Sequence, residues 1–287
     1  MGIPRRVKQQ SGRHALVDGI PFVLPVNSDQ TSALMAAFEI DATKAAALLP
    51  GNELHPARLW RRAVLLITVI NYELTDIGKY IEFSIGIACT RGSRPAPPLL
   101  PFPLRRAFGF GQYVLDLPVS TEISVKGGKG IWGMPKHQAS LDFVVSDHAV
   151  SSQYDKDGSF VLRITIDRPQ RLRLPLSIAA ANYCTFRGLL MKSYVYMRGK
   201  AAFALGPGAG GTLELGEHPN ARRLAGLEIA PKPLFTAFFP SSTGVLDDHF
   251  ESWFVSSEQA PQSQPEGFES VIGLGLGQDW PEPPKRP

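Results

Sequence analysis

Residues 79–90, KYIEFSIGIACT, alternate without a break. Ile81, Phe83, Ile85, Ile87 and Cys89 fall on one side, and Tyr80, Glu82, Ser84, Gly86 and Ala88 on the other. Side chains of a strand point to opposite faces in turn, so this stretch commits the chain to a sheet with one apolar face in a core. The other face is small and polar with a single carboxylate, Glu82, which suits a cavity or solvent. Just upstream, RAVLLITVINYEL (62–74) is rich in β-branched residues and reads as a buried strand, with a DIG turn between the two.

More strands are expected downstream. One lies at about 112–119, and an antiparallel meander runs through ASLDFVV, AVSSQY, a DKDGS turn and FVLRITID. FRGLLM (186–191), YVYMR (194–198), AAFALG (201–206) and TLELG (212–216) follow. RGSRPAPPLLPFPL (91–104) reads as a long loop wrapped over the body. Helix signals are few. The best is TSALMAAFEIDATKAAALLP (31–50), where Asp41 caps DATKAAALL and Pro50 closes it. HPNARRLAGL (218–227) is a second, short helix. The sum is a mainly β chain: an antiparallel β-barrel, closed or nearly so, with a few short peripheral helices.

The 287 residues are 44% hydrophobic, enough for a core of real size. The expected division is a basic N-terminal arm and lead-in at 1–29, one barrel domain at 30–255 and a polar, Pro-rich tail at 256–287. Arg5, Arg6, Lys8 and Arg13 hold much of the +4 charge, and a solvated terminus accounts for them without a nucleic-acid partner. The longest apolar run, AVLLITVI at 63–70, is less than half of a membrane-spanning helix. Charge at the N-terminus without an apolar run after it leads us to expect a cytoplasmic protein. Cys89 and Cys184 lie in apolar stretches and read as buried free thiols.

Several motifs resolve to structure rather than chemistry. GPGAGG (206–211) matches a dinucleotide fingerprint by letters, but a strand and not a helix follows it, so it reads as a hairpin loop. KGGKG (126–130) lacks the spacing and the Ser or Thr of a phosphate loop. Glu214, Glu217 and His218, and the DDH run at 247–249, are explained by caps and turns. We therefore expect no metal and no cofactor.

KGGKGIWGMPKH (126–137) is different. A lysine becomes a nucleophile at neutral pH when burial or a neighbouring cation disfavours its ammonium. Read as a bent strand, this stretch sets Trp132 and Met134 on the same side as Lys136 and gives it an apolar surround. A lysine snorkelling from a strand end is the plainer alternative on these features alone.

The same stretch resembles the lysine segment of the acetoacetate decarboxylase family. KYIEFSIGIACT is similar to that family's strand bearing a Tyr-x-Glu, DATKAAALLP to its early helix, and EHPNARRLAGLEIAPKPLFTAFFPSSTGVL to its C-terminal part. The resemblance covers about residues 30–246. It implies a β-barrel-like cone around a largely apolar site, a homo-oligomer, and a lysine that forms a Schiff base with a small keto acid or related carbonyl compound. Lys136 falls on that lysine and Glu82 on an active-site glutamate. Trp132, Met134, His137, Phe108, Phe110 and Tyr80 are the expected pocket. Three departures stand out: His137 replaces a second lysine, the place of a second glutamate falls near Ile67 or Thr68, and the family's N-terminal active-site arginine has no placeable counterpart. The implied activity is a decarboxylase-like carbon–carbon lyase. Aldol, dehydration or hydrolytic use of the same lysine, or non-catalytic binding of a carbonyl ligand, are its alternatives.

Overall fold

The computed structural model describes residues 4–9, 12–169, 174–186 and 188–256. The chain begins with α1 (Arg5–Gln9), the hairpin β1 (Arg13–Val17) and β2 (Ile20–Leu24), then β3 (Val26–Asp41), α2 (Ala42–Ala47) and β4 (Leu54–Pro56). Next come β5 (Arg62–Thr75), β6 (Tyr80–Arg91), β7 (Gly111–Val119), α3 (Glu122–Trp132) and β8 (Lys136–Gln138). Short strands β9 (Ser140–Leu141) and β10 (Val144–Val145) lead to the hairpin β11 (Ala149–Lys156) and β12 (Ser159–Asp167). The chain continues through β13 (Leu174–Phe186), β14 (Leu189–Leu205), β15 (Gly211–Leu215), α4 (Pro219–Ala225) and β16 (Phe235–Phe254).

Hydrogen-bonded neighbours run β4-β6-β5-β3-β16-β14-β13-β7-β8, and β6 also pairs with β7. That last pairing joins β6, β5, β3, β16, β14, β13 and β7 into a closed ring, a barrel whose ring strands have no free edge. The ring is antiparallel except between β13 and β7, and β8 is added parallel to β7. A second sheet, β10-β11-β12-β15, covers the outside of the barrel. The main core lies between them: Phe38, Leu65, Ile67, Phe83 and Ile87 meet Tyr154, Leu162 and Ile164. Each such apolar side chain contributes about 1.5–3 kcal/mol by leaving water. The apolar face read at 79–90 is thus the outer, core-facing side of β6, and the Glu82 face lines the inside of the ring.

Four expectations change. TSALMAAFEI is strand β3; only ATKAAA is helical, with Asp41 Oδ1 accepting from the Lys44 N–H at 2.8 Å. Both faces of β3 are buried, so its apolar run shows no period that separates strand from helix. KGGKGIW is the end of helix α3 and not part of a bent strand. FRGLLM straddles the β13–β14 turn, where Phe186 pairs with Leu189, and YVYMR and AAFALG are one strand. Residues 1–29 are not a free arm where described: Val7 packs with Tyr196 and Val245, and Phe22 and Leu24 are buried. Apolar burial there outweighs the solvation of the nearby charges. The tail expected at 256–287 lies, beyond Ser256, outside the described residues.

Candidate active site

The amine of Lys136 is placed by a helix end. Gly133 closes α3 with φ 63°, a left-handed geometry that costs glycine little. Its N–H reaches the Lys129 carbonyl at 3.0 Å, and the Met134 N–H reaches Gly128 O at 3.0 Å. The chain thereby doubles back into β8, and the Lys136 stem lies against the bare backbone of Gly128. A Cβ at Gly128 would collide with Cδ and Cε of Lys136.

At the tip, Lys136 Nζ is 2.7 Å from Glu82 Oε2 and donates to Ser124 Oγ at 3.0 Å. It also lies 5.5 Å from the Tyr80 ring centroid, near enough for a cation–π attraction. Lys136 is 4% exposed. A buried ammonium without a partner is very costly; a carboxylate and a hydroxyl in contact offset that cost. Register sets the rest: Glu82 pairs with Ile70, and Tyr80 with Tyr72. The two tyrosine rings stack with centroids 4.4 Å apart and an interplanar angle of 22°. Glu82 and Tyr80 lie near enough to Tyr72, and Glu82, Ser124 and Tyr72 near enough to Tyr80, to act on the two phenols. Burial, and next the Glu82 charge, hold both phenols protonated well above the ordinary tyrosine range.

The expected pocket residues divide into three groups. Tyr80 joins Lys136 and Glu82. Trp132 and Met134 are buried with Leu24, Val114, Leu117, Cys184 and Met191, and Leu117 is the register partner of Lys136, so this apolar cluster flanks the lysine. Phe108, Phe110 and His137 lie elsewhere. Phe110 packs with Phe102, Ala88 and Val64. Ala88 is on the Glu82 face of β6 but about 20 Å further along it, at about 3.3 Å per residue. The Phe108 carbonyl accepts from the Arg91 N–H, beyond Ala88 on the same strand.

His137 turns away from Lys136, because neighbours on a strand face opposite sides. Its Nε2 is 2.7 Å from Asp116 Oδ1. Tyr154 and Asn220 donate to Asp116 Oδ2 at 3.2 and 3.1 Å, and Asn220 also donates to the Tyr154 hydroxyl at 2.9 Å. This network ties β7 and β8 to β11 and α4 on the outside of the barrel.

Ser124 and Tyr72 were not foreseen. Tyr72 had a weak signal, since alternation puts it with Ile70, but only the β5–β6 register brings it beside Tyr80. Ser124 needed the helix. Among the described residues no group of three His, Cys, Asp or Glu could hold a metal. Glu214 faces Arg163, while His218 caps α4 by accepting from the Asn220 N–H. No described helix is long and apolar enough to cross a membrane.

Fold and site together define a class: a closed β-barrel with a buried amine–carboxylate pair opening on its inner face. The particular family follows from sequence. The family model for acetoacetate decarboxylase matches residues 7–184, and the chain belongs to that family. The fold is similar to acetoacetate decarboxylase from Legionella pneumophila subsp. pneumophila str. Philadelphia 1, at TM-score 0.56 and 16% identity, over 82% of this chain and 89% of that one. It is also similar to the enduracididine biosynthesis enzyme MppR, solved with the condensation product of pyruvate and imidazole 4-carboxaldehyde. That match has TM-score 0.56 and 15% identity, covering 81% and 90%. A third is an acetoacetate decarboxylase-like enzyme from Sphingomonas wittichii RW1, at TM-score 0.51 and 15% identity, covering 81% and 94%. No curated protein matches the chain in sequence.

Proposed function

We propose that the chain is a Schiff-base enzyme acting on a keto acid or related small carbonyl compound through Lys136. The observation that carries this reading is the buried amine, 2.7 Å from Glu82 and 3.0 Å from Ser124, on the inner face of a barrel of this family. Glu82 Oε2 takes a proton from Nζ across that contact, which leaves a neutral amine to attack the carbonyl carbon. The carbinolamine loses water to give an iminium. With a β-keto acid, the bond to the carboxylate breaks, its electron pair enters the enamine and CO2 leaves. Protonation at carbon and hydrolysis then return ketone and free amine. Tyr80 and Tyr72, held protonated, border the amine–carboxylate pair and add no second negative charge to it.

A second use of the same iminium has its own support. No acid stands at the position of the second glutamate: Ile67 is in the outer core and Thr68 is uncharged on the inner face. MppR, of similar fold, is solved with a product of pyruvate condensation. An enamine formed from a 2-oxo acid and attacking an aldehyde is therefore the alternative to loss of CO2. In either case the working form is a homo-oligomer in the cytoplasm, which light scattering on the purified protein and cell fractionation check.

The test is borohydride reduction in the presence of acetoacetate, pyruvate or pyruvate with an aldehyde, followed by peptide mass spectrometry. An adduct on Lys136, absent in Lys136→Ala, is expected. CO2 release against aldehyde consumption then chooses between the two reactions. Ligand binding with no adduct from any of them would leave a non-catalytic carbonyl binder instead.

A further inference from the structure

The inner face next to Glu82 carries a row of uncharged polar groups that the lysine chemistry does not use. Ser84 is the next residue of β6 on that face, about 7 Å along the strand from Glu82. The Gln112 amide donates to Ser84 Oγ at 3.3 Å and to Asn182 Oδ1 at 2.7 Å. Gly86 makes this possible, because a Cβ there would lie 3.1 Å from Gln112 Oε1 and 2.8 Å from the Tyr113 carbonyl. Asn182 is the register partner of Ser193 across β13 and β14, so their side chains share the face. Ser193 is 2% exposed, and its Oγ has no hydrogen-bond partner. Thr68, opposite Ser84, completes the row.

Thr31, Thr121 and Thr236 also hold buried hydroxyls without a partner, and Ser193 is the one that pairs in register with Asn182 of this row. Ser84, Asn182 and Ser193 are themselves more than nine-tenths buried, while Met35, Tyr72, Ile178 and Met197 of the same inner face remain partly accessible. Met35 is the register partner of Thr68, so the accessible part of the inner face reaches this row. Both N–H bonds of the Gln112 amide are committed, so Ser84 keeps its own O–H to give, as Ser193 does.

We propose that Ser84, Gln112, Asn182 and Ser193 form a subsite for an uncharged oxygen of the substrate, an ether, hydroxyl or carbonyl, several bonds away from the carbonyl that meets Lys136. This deepens the function proposed above and rests on its placing of the substrate inside the barrel. The subsite excludes a second carboxylate, since nothing in this row offsets a negative charge. The spacing of about 7 Å between Glu82 and Ser84 asks for a chain of about five or six carbons. Acetoacetate is too short to reach it.

The probes are 2-oxo acids of five to eight chain atoms that end in a methoxy group, each paired with the 2-oxo acid that has CH2 in place of oxygen. Calorimetry measures their affinity for the wild type and for Lys136→Ala, Ser193→Ala and Gln112→Leu, with thermal melts to show that each variant folds. At one chain length the methoxy probe should bind about tenfold tighter than its isostere, in Lys136→Ala as in the wild type. Ser193→Ala, which removes an unpartnered hydroxyl, should stay folded and lose that preference, and Gln112→Leu should lose it too. Equal affinities at every length overturn the proposal, as do tighter binding of a terminal carboxylate and a preference that survives Ser193→Ala. A preference retained while borohydride leaves no adduct on Lys136 sinks the Schiff-base reading and keeps this one.

Discussion

Glu82 is the carboxylate on which the behaviour of Lys136 turns. Its oxygen is the acceptor 2.7 Å from Nζ. Glu82→Gln preserves the shape but cannot take a proton. We expect the rate of adduct formation with pyruvate to fall about 100-fold, because no carboxylate then takes the proton from Nζ. An unchanged rate in stopped-flow trapping would falsify a proton-accepting role. Lys136 and Glu82 could be named from sequence because local pattern marks each, an unbroken alternation with one acid and a lysine after glycines and an apolar pair, and the family resemblance gives both a role. Ser124 and Tyr72 could not, since their contacts depend on a helix and on a strand register that no local pattern encodes.

At the scale of elements, α3 explains why so many glycines precede Lys136. Three of them are points of close approach: Phe22 packs on Gly127, the Lys136 stem on Gly128, and Val17 on Gly130. Glycine weakens a helix by about 0.5–1 kcal/mol relative to alanine, so these positions give up helix stability for contact. Gly128→Ala separates the two effects. The helix itself gains, yet Cδ and Cε of Lys136 must move while Nζ is held by Glu82 and Ser124. The expected outcome is a melting temperature within a few degrees of the wild type and a borohydride trapping rate at least about tenfold lower. Trapping at the wild-type rate would show that the stem has room and that Gly128 does not set the amine. His137 belongs to a different element contact. A lysine in place of His137 would also face the outside of this barrel, where Asp116, Tyr154 and Asn220 lie. A turn away from the pocket requires the segment to be extended, and β8 is that extension.

For the molecule as a whole, the closed ring and its covering sheet bury most of the phenols and both thiols. Burial raises the pKa of Tyr72, Tyr80, Tyr113, Tyr154 and Tyr183, pushes Cys184 up to about 12 and raises Cys89 as well. The folded state therefore holds these protons after the unfolded chain has released them, from about pH 8.5 for thiols and about 10 for phenols. Stability from this source is complete below those values and is lost as pH rises through and beyond them. Thermal melts should show a melting temperature that starts to fall near pH 9 and falls most steeply above 10, with the tyrosinate absorbance of these five rings appearing only on unfolding. Tyrosinate absorbance in the folded protein at pH 10–11 from more than the two other rings would contradict it.

Sequence by itself determined what short-range pattern can carry. The strands β5, β6, β7, β11, β12 and β15, the Asp41 cap, the mainly β class and the face on which Glu82 stands all follow from alternation, turn residues and capping. Tertiary structure alone decided the rest. It made β3 a strand because both its faces are covered, turned KGGKGIW into a helix because its glycines meet Phe22, Val17 and the Lys136 stem, and closed the barrel through the β6–β7 pairing. The reason is physical: these outcomes depend on surfaces contributed by residues far apart in the chain, and burial against such a partner outweighs the fraction of a kcal/mol per residue by which local propensity separates helix from strand.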